Sequence, residues 1–168
     1  SEEPWCATVD ELNEVWDRTA ARIEESGYRC LRQGQDDRGR LLESFRADRT
    51  SVLFATDSFW EGVDAPGDTL RLVVVCRLPF RVPTDPIQVA RAELIERGGG
   101  NAFAELSLPQ ATIRLKQGFG RLMRRVDDFG AVVVADSRMA TRSYGRMMVE
   151  SLPSPRLFAG RGDEVVAV

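Results

Sequence analysis

The sequence predicts an α/β protein in which helices cover both faces of a mostly parallel central sheet. Its 168 residues are enough for one ordinary globular domain with its own core and too few for two comfortable ones. Segments with the apolar spacing of helices alternate along the chain with short, continuous apolar runs. Such runs are typical of strands that are buried on both faces, and the alternation is that of a parallel sheet whose strands are connected by helices.

The predicted strands are short and lie between turn-forming residues. They cover 4–8, 28–31, 51–55, 70–78 and 130–136. The first of them, PWCAT, allows only a short strand, whereas SVLFA and LRLVVVCRL are continuous apolar runs. We expect the last strand, GAVVVAD, to be buried as well.

The predicted helices carry apolar residues three and four positions apart. They cover 10–26, a segment from about 41 to 47, 87–97, 108–125 and a segment from about 141 to 150. Gly27 is placed to end the first helix, and the proline-punctuated segment LPFRVPTDP is predicted to be a loop. Because patterning weakens from residue 153 onward, we assign one domain to 1–153 and a tail to 154–168.

The composition argues against several classes of protein. No apolar run approaches the roughly 18 residues of a membrane span, and no signal-peptide pattern opens the chain, so we expect a cytoplasmic protein without a membrane partner. Cys6, Cys30 and Cys76 are far apart and odd in number, which argues against a disulfide framework and against a cysteine metal site. Histidine is absent from the sequence, which excludes the usual zinc sites and histidine-based triads. We therefore predict no metal site in this chain and interpret the cysteines as buried apolar residues.

The charge is unevenly distributed along the chain. The net charge of −3 combines an acidic segment, 1–70, with a basic segment, 71–168, and nearly every basic residue is arginine. Arginine binds phosphate groups in a bidentate way. We attribute part of the excess of arginine over lysine to codon preference. Ligands of parallel sheets bind beyond the carboxyl ends of strands. The segments that begin at Thr56, Pro79 and Ser137 are therefore candidate ligand loops, together with the helix before the last strand.

That helix places three polar side chains on one face. At about 100° per residue, Gln117, Arg121 and Arg124 lie within roughly 60° of each other, and the apolar residues lie opposite. Gly118 and Gly120 cost the helix about 1 kcal/mol each, so close approach of another surface or a ligand would explain them. A solvated arginine face with incidental glycines is the alternative interpretation.

Two segments resemble helicase motifs. QGFGRLMR, 117–124, matches the QxxGRxxR pattern of motif VI in superfamily 2 helicases. ATDSFWEGVDAPG, 55–67, resembles motif V of DinG-type helicases and their XPD-like relatives. The connecting segment and the later VVVADSR and RSYGR are also DinG-like, so the resemblance covers about 28–153. The chain thus resembles the second RecA-like domain of a DinG/XPD-type DNA helicase.

The resemblance implies a three-layer RecA-like fold and assigns roles to residues. Arg121 and Arg124 would act as arginine fingers in ATP hydrolysis, with Gln117 beside them. The nucleotide-coupling residues would be Glu61, Gly62, Asp64 and Gly120. The contacts to single-stranded DNA would be Thr56, Ser58, Trp60 and Arg81. From the residues alone, an acidic surface loop remains the other interpretation of 61–64, and simple packing is the other interpretation of each aromatic ring in Phe59-Trp60.

Other parts of such an enzyme are missing from this sequence. It contains no GxxxxGKS or GxxxxGKT, and no acidic DExx-type element follows a strand early in the chain. NTP hydrolysis requires both a phosphate-binding loop and a carboxylate that holds magnesium. The resemblance implies that ATP and Mg²⁺ are bound mainly by the first RecA-like domain, as is the iron–sulfur cluster of a parent protein that has one. We expect that domain and single-stranded DNA as partners, and we expect the chain alone not to hydrolyse ATP.

Two points stay open at this stage. Family members usually begin this domain with a longer apolar strand than PWCAT, which leaves the first strand open. The alternative function is a degenerate RecA-like module that binds nucleic acid or a protein partner without catalysis. We interpret Asp136 and Arg138 as a supporting ion pair rather than a catalytic one.

Overall fold

The computed structural model describes residues 2–6, 8–56, 59, 70–80, 86–122, 130–152 and 160, with 2–6, 121 and 122 described in their backbone only. The strands are β1 (Glu2–Cys6), β2 (Arg29–Arg32), β3 (Ser51–Thr56), β4 (Leu72–Val75) and β5 (Ala131–Val134). The helices are α1 (Val9–Glu25), α2 (Arg38–Ala47), α3 (Pro86–Arg97), a π-helical segment (Phe103–Ser107), α4 (Leu108–Leu122), α5 (Arg138–Thr141) and α6 (Ser143–Glu150). In this part of the chain no helix has the length and apolar character to cross a membrane.

All five strands pair in parallel, in the order β2-β3-β1-β4-β5. After β1 the chain therefore forms β2 and β3 on one side of β1, and then β4 and β5 on the other side. The predicted parallel α/β fold is confirmed.

Apolar side chains pack on both faces of the sheet. One core cluster joins Phe45 of α2 and Leu115 of α4 to β3 and β4, and a second joins Leu12 of α1 to the other face of β3. Alternate residues of β3 contribute to the two clusters, so every residue of this strand is buried, as the run SVLFA predicted.

The structure settles the question of the first strand, because β1 lies at the centre of the sheet. Its register with β4 is continuous from Glu2 to Trp5, whereas its register with β3 skips residues 3 and 4. Pro4 has no N–H to donate, and proline is rare inside a central strand for that reason. A proline within a short strand explains why the sequence signal was weak.

The predicted burial of the last strand is wrong. β5 is an edge strand of the described sheet, and its residues alternate between exposed and half-buried; Val133 is 40% exposed. The apolar runs of β3 and β5 thus both form strands, but the number of neighbouring strands in the sheet decides how much of each strand is buried.

The helix predicted near 141–150 is present as α6, Ser143–Glu150, and a separate short helix, α5, Arg138–Thr141, precedes it. Arg142 has an extended backbone between α5 and α6, and Gly145 packs directly on the backbone of Met139. A Cβ at position 145 would collide with the Met139 carbonyl group. Glycine thus allows the two short helices to approach closely.

Candidate functional site

The carboxyl ends of the parallel strands bring several polar residues to one edge of the sheet. Thr56 ends β3, and Gln33 follows β2, its neighbour in the sheet. On the other side of β1, Arg77 follows β4 and Asp136 follows β5. This edge is where ligands of parallel α/β proteins bind.

Thr56, a predicted DNA contact, lies at this edge and is bonded to Gln33. The backbone N–H and the hydroxyl of Thr56 both donate to Oε1 of Gln33, at 2.8 Å and 2.9 Å. Thr56 is buried, and Gln33 is half-buried. Sequence reasoning did not predict a role for Gln33; the only local signal is the glycine that follows it, Gly34, which turns the chain with φ +92°.

Phe59, in the motif V segment, belongs to the main core cluster. It is buried, Arg38 donates to its carbonyl oxygen at 3.2 Å, and the Arg38 guanidinium lies 5.1 Å from its ring centroid. Of the two adjacent aromatic residues in the sequence, Phe59 therefore occupies a core position.

The motif VI helix, α4, presents the expected faces over its described length. Leu115 is fully buried and Gly118 is buried, whereas Gln117 and Gly120 are exposed. The helix backbone continues through Arg121, one turn after Gln117, so both residues belong to the same helical face. A Cβ built at Gly120 would meet no described atom within 4 Å, so packing against the described residues does not require a glycine there.

The middle of α4 lies beside the end of β4. Arg114 donates from Nη1 to the carbonyl oxygen of Pro79 at 3.1 Å, a contact that sequence reasoning did not predict. The contact fixes the helix against the segment that follows β4.

Asp136 connects the ends of β4 and β5. Its carboxylate accepts hydrogen bonds from the backbone N–H of Leu78 at 2.8 Å, and from the backbone and guanidinium of Arg138, the shortest at 2.6 Å. Burial raises the pKa of Asp136, but these hydrogen bonds outweigh burial and lower its pKa to about 2. The geometry is that of the supporting ion pair expected from the sequence.

Aromatic rings extend this cluster. The Arg138 guanidinium lies 5.5 Å from the Phe80 ring centroid, and Phe80 in turn contacts the rings of Phe103 and Tyr144. The ion pair and the rings together join β4, the π-helical segment and α6.

Arg77, which also lies at this edge, has a protein partner. Its Nη1 lies 2.7 Å from Oε1 of Glu11, in the first turn of α1. The pair connects α1 to the segment after β4.

The described cysteines are consistent with an apolar role. Cys30 is buried beside Ala20 of α1, and burial, followed by the charge of Glu24, raises its pKa to about 11. Cys76 is half-buried against the second core cluster. Among the described residues no three His, Cys, Asp or Glu side chains lie close enough to hold a metal ion.

Several predicted site residues fall outside the described part of the chain, and their assignments stay predictions. They are Ser58, Trp60, Glu61, Gly62, Asp64, Arg81, Arg124 and the side chain of Arg121.

Comparison with known proteins extends these observations. Residues 5–155 match the family "Helicase C-terminal domain". The chain is 47% identical over 131 residues to the ATP-dependent DNA helicase YoaA of Haemophilus influenzae, covering 78% of this chain and 20% of that protein. It is 46% identical over 135 residues to the ATP-dependent helicase DinG of Mycobacterium tuberculosis, covering 80% of this chain and 20% of that protein. It is 39% identical over 147 residues to the 3'-5' exonuclease DinG of Bacillus subtilis, covering 86% of this chain and 16% of that protein.

The chain thus spans about a fifth of the length of these relatives. Among solved structures, that of S. tokodaii Xpd4 matches with a TM-score of 0.56 at 21% identity, over 95% of this chain and 30% of that one, which shows the fold. The motif resemblance to DinG-type helicases is confirmed, and the chain belongs to the helicase C-terminal domain family.

Proposed function

We propose that this chain is the C-terminal motor domain of a longer ATP-dependent DNA helicase. The observation that carries the proposal is the family match over 5–155, which includes both motif segments. The proposed parent is a cytoplasmic protein that moves along single-stranded DNA, with the first RecA-like domain as the partner of this one.

The proposed role of α4 is to supply positive charge to ATP hydrolysis. Phosphoryl transfer spreads negative charge over the equatorial oxygens of the phosphoryl group, and a guanidinium that reaches them stabilises the transition state. Arg121 and Arg124 are one turn apart in sequence, and Gln117 precedes Arg121 by one turn on the exposed face of α4. We assign the two arginines as arginine fingers and Gln117 as their neighbour at the nucleotide.

The remaining parts of the nucleotide site are proposed to lie in the first domain. Since the sequence has no phosphate-binding loop, this chain fits only the arginine side of an ATP and Mg²⁺ site. It also does not fit an iron–sulfur cluster, because its three cysteines are far apart in sequence and Cys30 is buried with a raised pKa. We therefore propose no ATP hydrolysis by the chain alone.

Alanine substitution of each arginine in the parent helicase tests the assignment. For Arg121→Ala and Arg124→Ala we expect DNA-stimulated ATPase to fall by about a hundredfold or more, since arginine fingers contribute 10³–10⁵ in rate. The dissociation constant for single-stranded DNA should stay close to that of the wild type. ATPase within about threefold of wild type in both variants would contradict the arginine-finger role, for which a hundredfold loss is expected.

A matched control is Arg146→Ala. Arg146 is an exposed arginine of α6 whose guanidinium pairs with Glu150 one turn away. We expect this variant to keep its ATPase. If the wild-type parent showed no salt-sensitive binding to DNA, that result would contradict the helicase proposal as a whole.

A further inference from the structure

The side-chain carboxamide of Gln33 accepts a hydrogen bond that would otherwise continue the backbone ladder between β2 and β3. It does so at the point where these strands separate. The last backbone bond from β2 runs from the Gln33 N–H to the carbonyl oxygen of Phe54, at 2.9 Å. In a parallel ladder the next donor is the N–H of Thr56, two residues farther along β3. That N–H donates to the Gln33 side chain instead, at 2.8 Å.

This bonding determines which donors face away from the sheet. Oε1 of Gln33 accepts both hydrogen bonds from Thr56, so Nε2, on the other arm of the planar carboxamide, points away from Thr56. Within the part of the chain that the structure describes, the two Nε2 hydrogens have no acceptor, and the side chain is half-buried. Because the Thr56 hydroxyl donates its hydrogen to Gln33, that hydrogen is not available to an incoming anion.

We propose that Gln33 holds Thr56 through Oε1 and donates from Nε2 to a phosphate oxygen of single-stranded DNA. The proposal rests on the proposed helicase function and names a contact of its DNA track. Phosphate oxygens only accept hydrogen bonds, and glutamine side chains are among the groups that contact them irrespective of base sequence. Thr56 is then a positioned neighbour of the phosphate, and Gln33 is the donor.

The substitution Gln33→Glu separates the two functions of the side chain. A carboxylate still accepts from the N–H and hydroxyl of Thr56, but it has no donor and repels phosphate. In the parent helicase we expect a thermal midpoint close to that of the wild type and a dissociation constant for oligo(dT) that is roughly tenfold higher, because a hydrogen bond to a charged group is lost.

Gln35→Glu is the matched control, with the same change of charge two residues away. Oε1 of Gln35 accepts from the backbone N–H of Arg32 at 2.9 Å, a bond that a carboxylate also makes, and the side chain is exposed. We expect the affinity of this variant for oligo(dT) to stay within about twofold of wild type, since a single charge at an exposed site is screened by salt. An equal loss of affinity in both variants would assign the effect to charge alone and overturn the proposal.

Gln33→Met tests the salt dependence of the contact. This variant loses acceptor and donors, so we expect a lower thermal midpoint and weaker DNA binding. The slope of log affinity against log salt should stay that of the wild type, because a neutral amide releases no counterion. Unchanged oligo(dT) affinity in Gln33→Glu would overturn the proposal, whereas wild-type protein that fails to bind oligo(dT) would contradict the helicase function itself.

Discussion

At the scale of single residues, the carboxylate whose pKa is shifted most among the described residues of the sheet edge serves the structure. Asp136 is buried, and its acceptor capacity is used by Leu78 and Arg138. A shifted pKa at the ligand edge often indicates a catalytic group, but ion-pair networks have the same effect. Its bond from the Leu78 N–H connects the segments after β4 and β5, and its bonds from Arg138 hold the start of α5, so its role is to hold these segments together.

Substituting this carboxylate should cost stability in a pH-dependent way. We expect Asp136→Asn to lower the free energy of unfolding by about 2 kcal/mol at pH 7, from the loss of a charge-assisted hydrogen-bond network. The pKa of Asp136 is lowered from 3.8 to about 2 on folding, so its contribution is complete above the unfolded pKa and is lost as pH falls through the folded pKa. Urea unfolding of both proteins should therefore converge between about pH 4 and pH 2.

The control for this measurement is Glu150→Gln. Glu150 pairs with Arg146 in α6, but both side chains are mostly exposed, at 62% and 86%. Exposed pairs of this kind contribute about 0.5 kcal/mol or less. A cost for Asp136→Asn no larger than that of Glu150→Gln would contradict the role assigned to Asp136.

At the scale of elements, two glycines in helices differ in what surrounds them. Gly145 of α6 lies against the backbone of Met139, whereas no described atom lies within 4 Å of a Cβ built at Gly120 of α4. Composition does not separate the two cases, because the difference lies in a neighbouring helix. A glycine that costs helix stability without a packing reason is consistent with the proposed nucleotide contact of Gly120.

Alanine substitutions should distinguish these glycines. Gly145→Ala is expected to lower the free energy of unfolding by about 2 kcal/mol or more, because its Cβ would collide with a carbonyl group. Gly120→Ala should raise it by up to about 1 kcal/mol through helix propensity. If Gly120 contacts nucleotide, the same variant of the parent helicase loses ATPase although it is more stable. Wild-type ATPase in Gly120→Ala would remove Gly120 from the site.

Strands show how far an element can be predicted from its own residues. The runs SVLFAT and AVVV are both apolar and β-branched, and both form strands. β3 is buried throughout because strands flank it on both sides and helices cover both faces. β5 has one neighbour in the described sheet, so its residues stay partly exposed. Local sequence thus predicts the type of element, and position in the sheet determines burial.

At the scale of the whole molecule, the sheet depends on its first strand. β1 is bonded to β3 and β4 and connects the pair β2-β3 to the pair β4-β5. Removing it would leave a gap of about two strand spacings, with unpaired N–H and C=O groups on both sides.

Deletion of residues 1–7 is therefore expected to abolish cooperative unfolding of the chain. Thermal unfolding followed by near-ultraviolet circular dichroism measures this. A control chain that carries Glu2→Val and Glu3→Val should keep its transition, because strand pairing involves the backbone and valine favours strands. A cooperative transition at the wild-type midpoint after the deletion would contradict the central role of β1.

The sequence by itself determined the fold class and the family. Apolar periodicity reports the face that each element buries, and the two helicase motifs are continuous segments that can be read without coordinates. The tertiary structure decided which strand lies at the centre, which apolar strand lies at the edge, and that Gln33 meets Thr56 across 23 residues of sequence. These depend on strand order and register, which arise from contacts between distant segments and leave no trace in local periodicity.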